Sequence, residues 1–112
     1  MKKILHIIDS VSVGGAEKLL VGVINELDGF EHHLMILDEP EALLSSIRVP
    51  YKFTNLKIKS KPDFIRAISK AKKYIRENKI DIVHAHLYNS IVLARLATPR
   101  GVKLFNSIHA IA

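Results

Sequence analysis

A chain of 112 residues holds enough material for one domain, and a hydrophobic content of 48% supports a real core. The absence of cysteine excludes a disulfide framework and thiolate chemistry, and no apolar run approaches the ~18 residues that a membrane span needs. The net charge is +6, and nine of the 17 basic residues fall within residues 57–79, opposed there only by Asp63 and Glu77.

The first element is a short apolar run ending in Asp9, preceded by Lys2 and Lys3 and broken by His6, which is too short for a signal peptide. A loop from Ser10 to Gly15 follows and closes with Gly14 and Gly15. From Ala16 the pattern is helical: Ala16, Leu19, Leu20, Val23, Ile24 and Leu27 form one stripe at the helical period, ended by Asp28-Gly29. Buried strand, glycine loop and helix N-terminus together make an anion-holding device. Glycine lets backbone approach a ligand, and free N–H groups with the helix dipole favour negative charge. The spacing is not G-x-G-x-x-G, and the acidic residue near the second strand is Asp38, just past its end, so a dinucleotide site is disfavoured.

Leu34 to Leu37 reads as a short buried strand, with His32 and His33 before it expected at the surface. A helical turn or two is expected between Glu41 and Ile47, and a weak strand from Pro50 to Thr54. Lys61-Pro62-Asp63 opens a second helix, with Phe64, Ile65, Ile68, Ala71 and Ile75 as its apolar face. Its other face carries Arg66, Lys70, Lys72, Lys73 and Arg76, either a solvated surface or a partner for an anionic membrane. With only Phe64 and Tyr74 near this basic region and no recognisable motif, nucleic acid is not an expected partner.

Ile80 to Ala85 is a further buried strand, Asn89 or Ser90 is expected to cap a third helix that stops at Pro99, and Val102 to Ile108 is the last strand. The order is β-α-β-(α)-β-α-β-α-β. Short strands that are apolar on both faces imply a parallel sheet covered by helices, and right-handed crossovers give an α/β, Rossmann-like doubly wound sheet. Ligands collect at the carboxyl ends of such strands. Asp9, Gly14, Gly15, His86 and His109 lie at or just past those ends. The chain stops at Ala112 directly after a strand, so an incomplete domain of a longer protein is expected.

His84 and His86 are two apart on a strand and share a face. An H-x-H pair can bind zinc, but no third ligand stands at metal spacing, so no metal site is expected; one histidine is read as a core residue and the other as reaching the cleft. His6 is read as structural. Ser107 has no nucleophile elbow, so no Ser-His-Asp set is assembled.

Three segments carry a resemblance. KILHIID-x5-GGAEKLL, DIVHAHLYNSIVLARLA and NSIHA, in this order, resemble the N-terminal domain of family 4 glycosyltransferases of the GT-B fold over essentially the whole chain. The resemblance implies that residues 1–112 form one acceptor-side domain whose C-terminal donor domain is absent. The GGAE-type loop at Gly14 and Gly15 would lie close to the donor diphosphate and the acceptor, and Asp9 near the acceptor. The histidine of a T-x-H-G-like segment, here His109 within Ser107-Ile108-His109-Ala110, would contact the transferred sugar. The intact enzyme would retain anomeric configuration, use a nucleotide-sugar as donor substrate, and need no cofactor or metal. The family's E-x7-E motif belongs to the donor domain; Glu31 and Glu39 match its spacing by coincidence. The expected location is cytoplasmic, with peripheral contact to the inner membrane face through residues 57–79. The competing reading is a stand-alone Rossmann-like module that binds an anion or a partner without catalysis.

Overall fold

The structure, a computed structural model, describes residues 1–10, 15–39 and 44–107. Its elements in chain order are β1 (Lys2–Ile8), α1 (Gly15–Glu26), β2 (Phe30–Ile36), a single 3-10 turn (Leu44–Ser46), β3 (Tyr51–Asn55), α2 (Lys61–Glu77), β4 (Ile82–His86), α3 (Tyr88–Ala97) and β5 (Lys103–Ser107). The five strands form one sheet in the order β3-β2-β1-β4-β5, and every pairing is parallel. The chain therefore winds outward from β1 through β2 to β3, then returns to the other side of β1 for β4 and β5. This is the doubly wound α/β arrangement expected from the alternation of apolar runs and helical stripes, with its switch point between β1 and β4.

Side chains alternate between the two faces of the sheet. Ile8, Leu34 and Ile36 meet Leu20, Val21 and Ile24 of α1 on one face. Leu5, Ile7, Met35, Val83 and Ala85 meet α2 and α3 on the other, through Ala67, Ala71, Ile75, Leu93, Ala94 and Ala97. A fully buried aliphatic side chain of this kind contributes about 1.5–3 kcal/mol. The alanines let α3 come close to β1 and β4 and let α2 and α3 pack closely on each other.

Two apolar stripes are narrower than the periodicity predicts. Leu19 is 58% exposed and Val23 is also exposed, because α1 meets the sheet along Leu20, Val21 and Ile24. Ile65 is 67% exposed, because α2 rests on Ala67, Ala71 and Ile75. The second strand also begins earlier than expected, at Phe30. His32 and His33 consequently lie inside β2 and are buried, a correction to their expected surface position.

The helix ends explain the register. The Ser60 hydroxyl caps α2 by accepting from the Asp63 N–H, with Pro62 in the first turn. Neither Asn89 nor Ser90 caps α3; the helix already begins at Tyr88, after Leu87 at φ 71° and ψ 161°. That backbone region is essentially reserved for glycine, so a leucine there is held by its surroundings.

Candidate functional site

The carboxyl edge of β1 places Asp9 against the first turn of α3. Asp9 Oδ1 accepts from the Ser90 N–H at 3.0 Å and from the Ser90 hydroxyl at 2.6 Å, and Oδ2 accepts from the Asn89 side-chain amide at 3.4 Å. A carboxylate from a strand 80 residues away thus does the work of the N-cap that α3 lacks locally. The parallel ladder continues past the strand ends: the Leu37 N–H donates to the Ile8 carbonyl and the Asp38 N–H to the Asp9 carbonyl, each at 3.2 Å. Asp9 and Asp38 are thereby held side by side.

These two acids border an open groove of about 410 Å³. Its walls come from Asp9, Asp38, Asn89 and the Lys59-Ser60-Lys61 segment that starts α2. Lys59 Nζ lies 2.8 Å from Asp38 Oδ2. That contact, helped by a backbone N–H of Glu39, holds the Asp38 carboxyl below its usual value, and Asp38 in turn raises Lys59. The groove thus joins the N-termini of α2 and α3, two acidic groups and two lysines at one edge. Acidic groups suit sugar hydroxyls, while lysines and helix N-termini suit a phosphate. The sequence reading singled out Asp9 and passed over Lys59, Ser60 and Lys61. The usable signal is the pair of lysines that flanks Ser60 at the start of α2.

The other expected site residues divide. Gly15 is the first residue of α1, so this helix starts at the carboxyl edge as the crossover requires. Gly14 and His109 lie outside the described residues. His86 ends β4 but is only 2% exposed, and its Nε2 lies 3.1 Å from His84 Nδ1. Of the pair, His84 is the half-buried member.

His84 and His86 belong to a row of imidazoles on the α1 side of the sheet. The register sets His6 of β1 beside His84 of β4, and Ile4 beside His32. His32 Nε2 donates to the Leu27 carbonyl at 3.0 Å, which leaves His32 Nδ1 to accept from His6 Nε2 at 3.2 Å. His6 Nδ1 is then a bare lone pair, buried, with no hydrogen-bond partner among the described residues. Burial, then the neighbouring His84, His32 and His86, pushes the His6 pKa well below its ordinary value, so the ring is neutral. The expectation that no third ligand accompanies His84 and His86 is corrected here: β1 supplies the third imidazole from 78 residues away.

A second buried network lies on the opposite face. His33 Nε2 donates to Glu31 Oε2 at 2.6 Å, which leaves Nδ1 to accept from the Tyr74 hydroxyl at 2.6 Å. Burial lowers the His33 pKa despite Glu31, and His33 in turn lowers Glu31. This set lies away from the carboxyl edge and reads as a polar tie between β2 and α2.

Residues 13–112 match the model of Glycosyltransferase Family 4. No curated protein sequence matches the chain. Among solved structures, the crystal structure of Acinetobacter baumannii MurG is similar, with a TM-score of 0.70 at 16% identity. The match covers 100% of this chain and 36% of that one, so the chain spans about a third of the length of this structural relative.

Proposed function

Because the chain belongs to glycosyltransferase family 4, we propose that it forms the acceptor-side half of an enzyme that moves a sugar from a nucleotide-sugar to an acceptor hydroxyl with retention of configuration. The observation that carries the reading is the groove at the carboxyl edge, where Asp9, Asp38, Asn89 and the start of α2 converge. Asp9 and Asp38 present carboxylate oxygens suited to acceptor hydroxyls. Gly15, the first residue of α1, would offer its N–H to the departing diphosphate together with Gly14, and that diphosphate carries the charge that develops in the transition state. His109 would contact the transferred sugar, and His86, buried below this edge, would support it from within the sheet. The transfer needs no cofactor in this reading, and closure of a donor domain over the groove would expel water.

The 112 residues by themselves are expected to transfer no sugar, since this reading assigns them only the acceptor side and they span about a third of the length of the structural relative. A panel of nucleotide-sugars and sugar acceptors incubated with the 112-residue chain should give no turnover above background. An acceptor that binds should shift the amide signals of Asp9, Asp38 and Asn89. Transfer by the chain alone, or acceptor-induced shifts confined to another face, would sink the proposal.

We also propose that the enzyme works in the cytoplasm with α2 set against an anionic membrane surface. No helix among the described residues is long and apolar enough to cross a membrane. Arg66, Lys70, Lys73 and Arg76 are exposed on α2, and Arg66 and Lys73 pair there with Asp63 and Glu77. Each cation near an anionic leaflet is worth about 1 kcal/mol, screened within a Debye length.

A further inference from the structure

We propose that His6, His84 and His86 form a binding site for a divalent transition-metal ion of zinc-like preference, held between β1 and β4 beneath the carboxyl edge. Each ring offers one nitrogen, and the three nitrogens lie within 4.8 Å of one another. Two nitrogens bound to the same tetrahedral zinc ion stand roughly 3.3 Å apart, from a Zn–N distance of about 2.05 Å. The contact of 3.1 Å between His84 Nδ1 and His86 Nε2 is already close to that separation, so an ion would take the place of the proton they share. His6 must close the remaining gap.

His6 is the decisive residue. A ring buried in a sheet needs partners for both nitrogens, and an apolar side chain would fill the space at lower cost. Here Nε2 is committed to His32, which is itself committed to the Leu27 carbonyl. That relay fixes the tautomer and leaves the Nδ1 lone pair pointing away from it, as outer hydrogen bonds do for metal-ligating histidines. The site has an open side. His84 is half-buried, and its register neighbour on β5, Phe105, is 55% exposed. Three imidazole nitrogens suit zinc, cobalt, nickel or copper and not the oxygen-seeking magnesium or calcium. This inference does not rest on the proposed sugar transfer. The ion would tie together the two strands of the switch point and take no part in the reaction.

The test uses the tag-free chain stripped with a chelator. Cobalt(II) should give the intense visible absorption of a tetrahedral site at one equivalent, and zinc should displace it. Zinc at a hundredfold excess over its Kd should raise the thermal midpoint by about 10 °C, while magnesium should not. His84→Ala, at the half-buried position, should abolish both effects. Should that variant fail to fold, long-range proton–nitrogen spectra of the wild-type imidazoles identify the rings that move with zinc. The inference is overturned if cobalt gives no tetrahedral absorption, if zinc leaves the midpoint unchanged, if His84→Ala binds as well as wild type, or if other imidazoles respond.

Discussion

Replacing Asp9 by alanine tests whether one carboxylate organises the carboxyl edge. The side chain accepts three hydrogen bonds, two of them from Ser90, whose residue is fully buried. Loss of a helix cap costs about 1 kcal/mol. Leaving the buried Ser90 hydroxyl without a partner adds about 1–3 kcal/mol. The expected loss is therefore about 2–4 kcal/mol, a large fraction of the stability of a domain this size. Asp9→Asn keeps an acceptor oxygen for Ser90 and should lose about half as much. The chain has no tryptophan, so urea unfolding is best followed by far-ultraviolet circular dichroism. Ser90→Ala removes the orphan, and the double variant should fall short of the sum of the single ones by about 1–2 kcal/mol. An Asp9→Ala chain within about 0.5 kcal/mol of wild type would refute the reasoning, as would strict additivity with Ser90→Ala.

Further outcomes follow from the same structure. His33 has a folded pKa below its ordinary 6.5, so the unfolded chain binds the proton more readily; its contribution is intact above about pH 6.5 and is lost as pH falls towards the folded value. Urea midpoints in chelator should thus fall below pH 6.5, with Glu31, Lys3, Lys52 and Tyr74 facing the ring, and Tyr74→Phe should lower stability by about 1–3 kcal/mol by orphaning Nδ1. In an intact enzyme, His109→Ala should lower kcat by ~10²-fold or more with little loss of stability, whereas His6→Ala should destabilise the chain; wild-type turnover in the His109 variant removes that residue from the site. Anionic vesicles, but not neutral ones, should pellet the chain at low salt, and replacing Lys70, Lys72 and Lys73 with glutamate should abolish this; a chain that stays in the supernatant leaves the basic face as plain solvated surface.

Much of the architecture was legible because the chemistry that sets it is local. Apolar runs ending at Asp9, Leu37 and Ala85, with helical stripes between them, suffice to predict a parallel doubly wound sheet. Lys61-Pro62-Asp63 marks the start of α2, which begins at Lys61. What was not legible depends on partners distant in sequence. His32 and His33 read as surface because polar residues precede the apolar run, yet each is satisfied inside the sheet, by His6 and Leu27 in one case and by Glu31 and Tyr74 in the other. Asn89 and Ser90 have the right chemistry for a cap, but they donate to Asp9 instead of accepting from their own helix. Of the expected site residues, Asp9 stands where the pattern placed it. Lys59 and Lys61 were read as part of a charged face, since nothing in a run of lysines says which of them turns towards a groove.

The winding of the sheet explains why the polar groups fall into two separate layers. β1 lies between β2 and β4, with α1 on one face and α2 and α3 on the other. Asp9 stands just past the end of β1 and reaches Ser90 of α3. Groups entering the groove meet Asp9, Asp38 and the helix starts without displacing any core side chain. The imidazole row lies deeper, on the α1 side of the sheet, where His6 is two residues before Ile8 and three before Asp9, at which the extended ladder with β2 ends. Substitutions in the groove should therefore alter ligand binding with little change in the core, Asp9 excepted because it also holds α3. Substitutions in the imidazole row should alter stability and ion binding first. A variant such as Lys59→Ala that weakens acceptor binding while leaving the unfolding midpoint and cobalt absorption unchanged would separate the two layers; coupled loss of all three would show that they act as one.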